Sequence, residues 1–154
     1  MKNGRHSISI VVADDHPVVL EGVVSLLSSN SDFNVLAKCR DGNAAVRAIT
    51  DVRPDVAVLD MAMPGLSGLE VLLKVAVSAP RTKIVFLTAA ASDRQVATAL
   101  ARGAKGMLHK DTAPDELVQC VREVAQGRQW LSTTVAEVIA EHQVRALDDV
   151  EEDH

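Results

Sequence analysis

Two neighbouring carboxylates, Asp14 and Asp15, follow the apolar run "SISIVVA", and a third, Asp60, closes the run "VAVLD". Acids set side by side repel one another and are seldom buried without positive charge, so the pattern requires either a cation or a solvated loop. Thr88 ends "IVFLT" and Lys110 ends "GMLHK", which adds a hydroxyl and an ammonium to the set. An octahedral ion such as Mg²⁺ takes oxygen ligands, few of them from protein, and leaves places for water or phosphate oxygens. Asp14, Asp15 and Asp60 are candidates to hold such an ion, while Lys110 and Thr88 are candidates to meet phosphoryl oxygens as charge and hydrogen-bond donor. An aspartate can also attack phosphorus and become an aspartyl phosphate, and a bound cation offsets the repulsion between an anionic donor and the acids. Each residue alone has a plainer reading as a helix cap or a solvated side chain. Five of them at successive segment ends favour a common site.

The elements that would bring them together are legible as alternation. Five short apolar runs, 7–13, 33–38, 56–59, 83–87 and 105–109, are rich in β-branched residues or Leu and continuous rather than alternating, which predicts strands covered on both faces. Helical stretches lie between them. Pro17 suits a first turn, with Val18, Val19, Val23, Leu26 and Leu27 as the expected buried face. Gly42 or Asn43 opens a second helix with Ala45, Val46 and Ile49 inward, which must end before Pro54. A third runs from about Ser67 through Leu69, Leu72 and Leu73, and a fourth from Ser92 or Asp93 through Val96, Ala99 and Leu100 to Gly103. A fifth, capped at Thr112 or Ala113, carries Leu117, Val118, Val121 and Val124 to Gly127. Strand and helix repeated five times predict an α/β protein, a parallel sheet with helices on both faces and sites at the carboxyl ends of the strands.

Bulk properties narrow the function. A chain of 154 residues suits one domain and a small appendage. Its residues are 47% hydrophobic but only 2% aromatic, so the core must be built of aliphatic side chains. Asp148, Asp149, Glu151, Glu152 and Asp153 account for the whole net charge of −5, and the rest of the chain is neutral. No broad basic surface is available for this chain itself to grip nucleic acid. Cys39 and Cys120 lack metal-ligand spacing and read as small buried hydrophobes in a reducing compartment. "ISIVVA" is too short for a signal core and no run approaches a membrane span, so no membrane contact and a cytoplasmic location are expected.

The stretches "ADDHPVVLEGV", "PDVAVLDMAMPGLSGLEVL", "IVFLTA" and "GAKGMLHKD" together resemble the receiver domain of bacterial two-component response regulators, in particular its NarL/FixJ-like subfamily. The likeness covers residues 7 to about 126, leaving 127–154 as a C-terminal helical extension or linker with an acidic tail. It implies a flavodoxin-like (βα)5 fold, a doubly wound parallel five-stranded sheet in the order 2-1-3-4-5. It also implies that Asp60 accepts a phosphoryl group from a sensor histidine kinase, and that Asp14, Asp15, Asp60 and the Ala62 backbone carbonyl hold Mg²⁺. Thr88 and Lys110 would read the phosphoryl group, with Thr88 and position 107 as the switch. Homodimerisation on phosphorylation would follow, through helices four and five with strand five or through helices one and five. Transcription would be regulated through a DNA-binding helix-turn-helix domain absent from this chain. Whether the chain is a fragment or a natural single-domain protein stays open.

The chain departs from that family in places. Met107 stands where an aromatic ring is common, and a flexible thioether chain is a poor rigid switch. Ala62 and Ala90 have no polar group with which to orient an attacking water. His16 and His109 are not expected to be ligands, the first because it enters a helix and the second because it alternates away from Lys110. A dehalogenase-like phosphatase would want an acid where Ala62 stands, and no glycine-rich phosphate loop is present. The alternative is a receiver-like module for protein interaction or dimerisation without phosphorylation. In the extension, Trp130 is expected against the fifth helix. Thr134 with Glu137 can form a capping box ahead of Val135, Val138, Ile139 and Leu147 in a sixth helix.

Overall fold

The computed structural model describes residues 7–89, 92–132, 136–137 and 140–141. The segments around Ala90, Thr134, Val135, Val138, Ile139 and Leu147 lie outside them, and so does the acidic tail. Strands β1 (Ile8–Ala13), β2 (Phe33–Cys39), β3 (Val56–Asp60), β4 (Lys83–Thr88) and β5 (Gly106–His109) alternate with helices α1 (Pro17–Ser28), α2 (Gly42–Val52), α3 (Gly68–Ser78), α4 (Asp93–Ala101) and α5 (Pro114–Ala125). All pairings are parallel, in the order β2-β1-β3-β4-β5. A two-residue strand β6 (Trp130–Leu131) then pairs with β5, making six strands where five were expected. The sheet therefore continues past residue 126.

The continuous hydrophobicity of the central strands has the predicted cause. Val11, Ala57, Leu59, Ile84, Phe86 and Met107 face one layer, packed against Ala45 and Ile49 of α2, Val71, Leu72 and Val75 of α3, and Val96 and Ala99 of α4. Their neighbours Ile10, Val12, Val56, Val58, Val85, Leu87 and Leu108 face the other layer, against Leu20 and Leu27 of α1 and Leu117, Val118, Val121 and Val124 of α5. Side chains alternate across the sheet, but both faces are apolar, so no alternation shows in the sequence.

Three expectations fail at the margin. Val18 is 87% exposed, whereas Leu20 and Leu27 form the fully buried line of α1, with Val19, Val23, Val24 and Leu26 half-buried beside it. On α3 the expected Leu73 is exposed and Val71 and Val75 are buried instead. Strand β2 lies at the edge of the sheet, and Asn34, Leu36 and Lys38 are exposed rather than covered. Trp130 does pack beside the α5 layer, and its indole N–H reaches Glu116 Oε1 on α5 at 3.4 Å.

Helix starts follow their caps. Asp41 caps α2 by accepting from the Ala44 N–H, and the helix opens at Gly42, one of the two starts expected. Ser67 with Glu70, and Ser92 with Gln95, form reciprocal capping boxes on α3 and α4.

Candidate functional site

Four strand ends and the turns that follow them form one rim. Asp60 is the last residue of β3, and Asp14 and Asp15 follow directly on β1. The Asp14 N–H donates to Cys39 O of β2 at 3.0 Å, which fixes its backbone to the sheet. Thr88 ends β4, where it is buried, and its carbonyl accepts the Lys110 backbone N–H at 2.9 Å. The loop after Asp60 returns closely upon it. The Gly68 N–H donates to Met61 O at 2.8 Å, and a Cβ at Gly68 would stand 2.5 Å from Asp60 O. Gly65, at φ +82°, makes the turn that allows this return.

The side chains of Asp14, Asp60 and Lys110 meet in one cluster. Lys110 Nζ lies 2.9 Å from Asp14 Oδ2 and 3.2 Å from Asp60 Oδ2, bridging two carboxylates that are each only 3% exposed. The Ala62 backbone N–H donates to Asp60 Oδ1 at 3.1 Å. Asp15 is more open to solvent. Asp15 Oδ1 and Asp60 Oδ2 are buried atoms that accept no aligned hydrogen bond, although His16 Nδ1 stands 3.2 Å from the first and Lys110 Nζ 3.2 Å from the second.

Electrostatics follow from this crowding. Burial lifts the Asp60 carboxyl above its ordinary value, and the nearby Asp14 charge adds to the lift, against the opposing pull of the Ala62 N–H and Lys110. Burial alone would lower the Lys110 ammonium, but its contacts with Asp14 and Asp60 outweigh that and raise it. Lys110 is therefore held as a cation between two buried acids, one of which resists carrying its charge.

The pocket suits a divalent ion. One ligand atom from each of Asp14, Asp15, His16 and Asp60 can be chosen so that all lie within 4.8 Å of one another. Carboxylate oxygens that lack hydrogen bonds are the donor type a hard cation takes.

His16 was not expected here. Its ring nitrogen Nδ1 sits 3.0 Å from Asp14 Oδ1 and 3.1 Å from Lys110 Nζ, although the residue is the N-cap of α1. The sequence signal was its place directly after the acid pair. His109 does not join the cluster and lies, with Lys110 and Thr112, along a groove between α1 and α5. Met107 is fully buried, opposite Phe86 in the β4–β5 register, and faces the α2, α3 and α4 layer.

A doubly wound α/β domain with an acid pocket and a half-buried lysine at its carboxyl rim is thus defined. Comparison with known proteins assigns it further. The model of the response regulator receiver domain matches residues 10–122, and the chain belongs to that family. The nitrate/nitrite response regulator protein NarL of Escherichia coli K12 is 34% identical over 138 residues, 90% of this chain and 64% of that protein. A homologue of that regulator in Haemophilus influenzae is 31% identical over 146 residues, 94% of this chain and 70% of that protein. A regulatory protein of Bacillus subtilis, YxjL, is 34% identical, and the chain spans 63% of its length.

Among solved structures, the signal receiver domain of NarL from Mycobacterium tuberculosis is 39% identical. It superposes with a TM-score of 0.77 over 80% of this chain and 99% of that one. A LuxR-family two-component response regulator from Aurantimonas is 30% identical, with a TM-score of 0.84 over 90% of this chain and 99% of that one. The strand order 2-1-3-4-5 agrees with the fold expected. No described helix is long and apolar enough to cross a membrane.

Proposed function

We propose that Asp60 accepts a phosphoryl group from the phosphohistidine of a sensor histidine kinase and that the modified domain controls transcription. The observation that carries this reading is the convergence of Asp14, Asp60 and Lys110, at 2.9 and 3.2 Å, around a buried Asp60 oxygen with no hydrogen bond. Asp14, Asp15, Asp60 and the Ala62 carbonyl would hold Mg²⁺. When bound, that ion neutralises the acids and draws charge from the phosphoryl oxygens.

The chain's own residues supply the rest. A carboxylate oxygen of Asp60 attacks phosphorus, the P–N bond of the donor breaks, and its electron pair leaves on the donor imidazole. Lys110, freed from Asp60 as that carboxylate is esterified, turns its charge to the new phosphoryl oxygens, and the Thr88 hydroxyl donates to another. Ala62 places no polar group two residues beyond Asp60, so hydrolysis receives no help from that side chain.

Self-association is the proposed consequence. Of the two faces considered, the one between α1 and α5 carries an apolar groove of about 280 Å³ lined by Val19, Val23, Leu26, Pro114 and Leu117. Relatives described as transcriptional regulatory proteins are longer than this chain, which supports an output through a DNA-binding domain outside it. The C-terminal 127–154 would link to that output, and the setting would be cytoplasmic.

A second reading rests on Met107. A fully buried, flexible side chain gives Thr88 no ring to move, which favours an interaction module that works without phosphorylation. One experiment separates the two. The protein is incubated with a small phosphodonor and Mg²⁺ and resolved on a gel that retards phosphoproteins. A retarded band that vanishes with chelator and in Asp60→Asn is the expected result. No retarded band in the parent, or one that persists in the variant, would sink the phosphoacceptor assignment.

A further inference from the structure

His16 carries an observation that the aspartates alone do not explain. Its Nδ1 is 3.0 Å from Asp14 Oδ1, 3.2 Å from Asp15 Oδ1 and 3.9 Å from Asp60 Oδ2, with Lys110 Nζ at 3.1 Å. One ring nitrogen cannot satisfy this company. If it carries a hydrogen, it serves one carboxylate but meets the Lys110 ammonium donor against donor. If it is bare, it accepts from Lys110 but turns its lone pair on that of Asp14. Meanwhile Asp60 Oδ2, on a side chain 96% withdrawn from solvent, accepts no aligned hydrogen bond. Lys110 offers its protons to part of this set, but Asp15 Oδ1 and Asp60 Oδ2 are left without an aligned donor, and a divalent cation among them would satisfy those lone pairs together with that of the ring nitrogen.

The spacing fits. Neighbouring ligands on an octahedral ion with bonds of about 2.1 Å stand about 3.0 Å apart, close to the separations of Nδ1 from Asp14 and Asp15. The backbone supports this placement too. His16 is extended at φ −93° and ψ 108°, and its own N–H donates to Asp14 Oδ1 at 2.8 Å, which draws the residue back across the acid pair. Its side chain makes no capping bond to α1, so the ring is available for another task.

We propose that His16 Nδ1 is a ligand of the divalent ion in this pocket, and that it tilts the site from Mg²⁺ toward first-row transition ions, which accept imidazole, with Mn²⁺ as the spectroscopic probe. Mg²⁺ is held by hard oxygens, whereas a nitrogen ligand favours first-row transition ions. This rests on the acid pocket being a divalent-ion site, as proposed above. His16 would then set which metal supports phosphorylation.

The test is metal binding by the full chain, read in two ways. Calorimetric titration with MgCl2 and MnCl2 is expected to give Mn²⁺ at least tenfold tighter binding in the parent protein. In His16→Ala that ratio should fall severalfold, with Mg²⁺ affinity changed less than twofold. Pulsed EPR of the Mn²⁺-loaded parent should show a ¹⁴N coupling that becomes a ¹⁵N coupling when histidine alone is labelled, and His109→Ala should retain it. The spectroscopy needs no variant at position 16, so it decides even if His16→Ala folds poorly. Mn²⁺ binding without nitrogen coupling, or an unchanged ratio in His16→Ala, overturns the role of His16 and leaves the acid pocket standing. Failure of the parent to bind either ion overturns both.

Discussion

At the scale of single residues, burial sets the chemistry more than residue type does. Asp60 and Cys120 are both acids pushed upward by loss of water, yet only Asp60 has a cation beside it. Cys120 is fully buried on α5, its thiol set against β5 so tightly that a Cβ at Gly106 would come within 3.1 Å of Sγ. Burial, helped by the Glu116 charge, raises this thiol from 9.0 to about 12. The unfolded chain loses the proton first as pH rises, so its stabilising effect is complete below pH 9 and is lost between there and about 12. Urea unfolding at pH 8 and pH 10 should therefore show the parent losing roughly 1.4 kcal/mol relative to Cys120→Ala. The chain has no tyrosine, and its other titrating groups are common to both proteins. An unchanged difference between the two pH values would show that the thiol ionises freely in the fold.

At the scale of elements, the site depends on how closely α3 returns to the end of β3. Gly68, the first residue of α3, leaves no space for a side chain beside Asp60 O, the Met61 Cα or the Phe86 ring. Gly68→Ala should displace the helix start, cost about 2 kcal/mol of stability, and cut Mg²⁺-dependent phosphorylation severalfold. Equal urea midpoints and equal labelling for the two proteins would refute this. The same elements show what a sequence discloses. The central strands were legible because burial on both faces demands unbroken apolar runs, and their carboxyl ends therefore located Asp14, Asp60, Thr88 and Lys110. Helix α1 was misread because valine or leucine stands almost all round it, so residue type could not tell exposed Val18 from buried Leu20. The edge position of β2 followed only from the strand order that the family resemblance implied, not from the pattern of the strand itself. It depends on which strands become neighbours, a long-range fact that no local pattern records. His16 was missed because its ring position follows from a backbone turn at the helix cap, while the residue itself reads only as the start of a helix.

At the scale of the whole molecule, the two helical layers are unequally secured. On one side α5 buries Leu117, Val118, Cys120, Val121 and Val124. It is also tied to the turn before β2, where Arg122 meets Asp32 at 2.9 and 3.1 Å and Asn30 at 3.0 Å and lies 5.1 Å over the Phe33 ring. On the other side α4 fully buries only Val96 and Ala99, and the shared core beneath it includes the unbranched Met107. Opening an element costs little when it withdraws little apolar surface from water, so α4 is the part of the sheet's covering most easily released. It also begins a few residues after Thr88, the rim residue proposed to sense the phosphoryl group. A change at Asp60 thus has a short route to the weakest helix through Thr88, and Lys110 offers one of similar length to the better-anchored α5. Hydrogen exchange read by mass spectrometry should show residues 93–101 exchanging at least tenfold faster than residues 114–125 in the unmodified protein. Beryllofluoride with Mg²⁺, which imitates the phosphoryl group, should slow exchange in 93–101 severalfold while leaving 114–125 nearly unchanged. Equal protection of the two helices before activation would place the mobile element elsewhere. A change confined to α5 would direct the signal into the α1–α5 face without passing through α4.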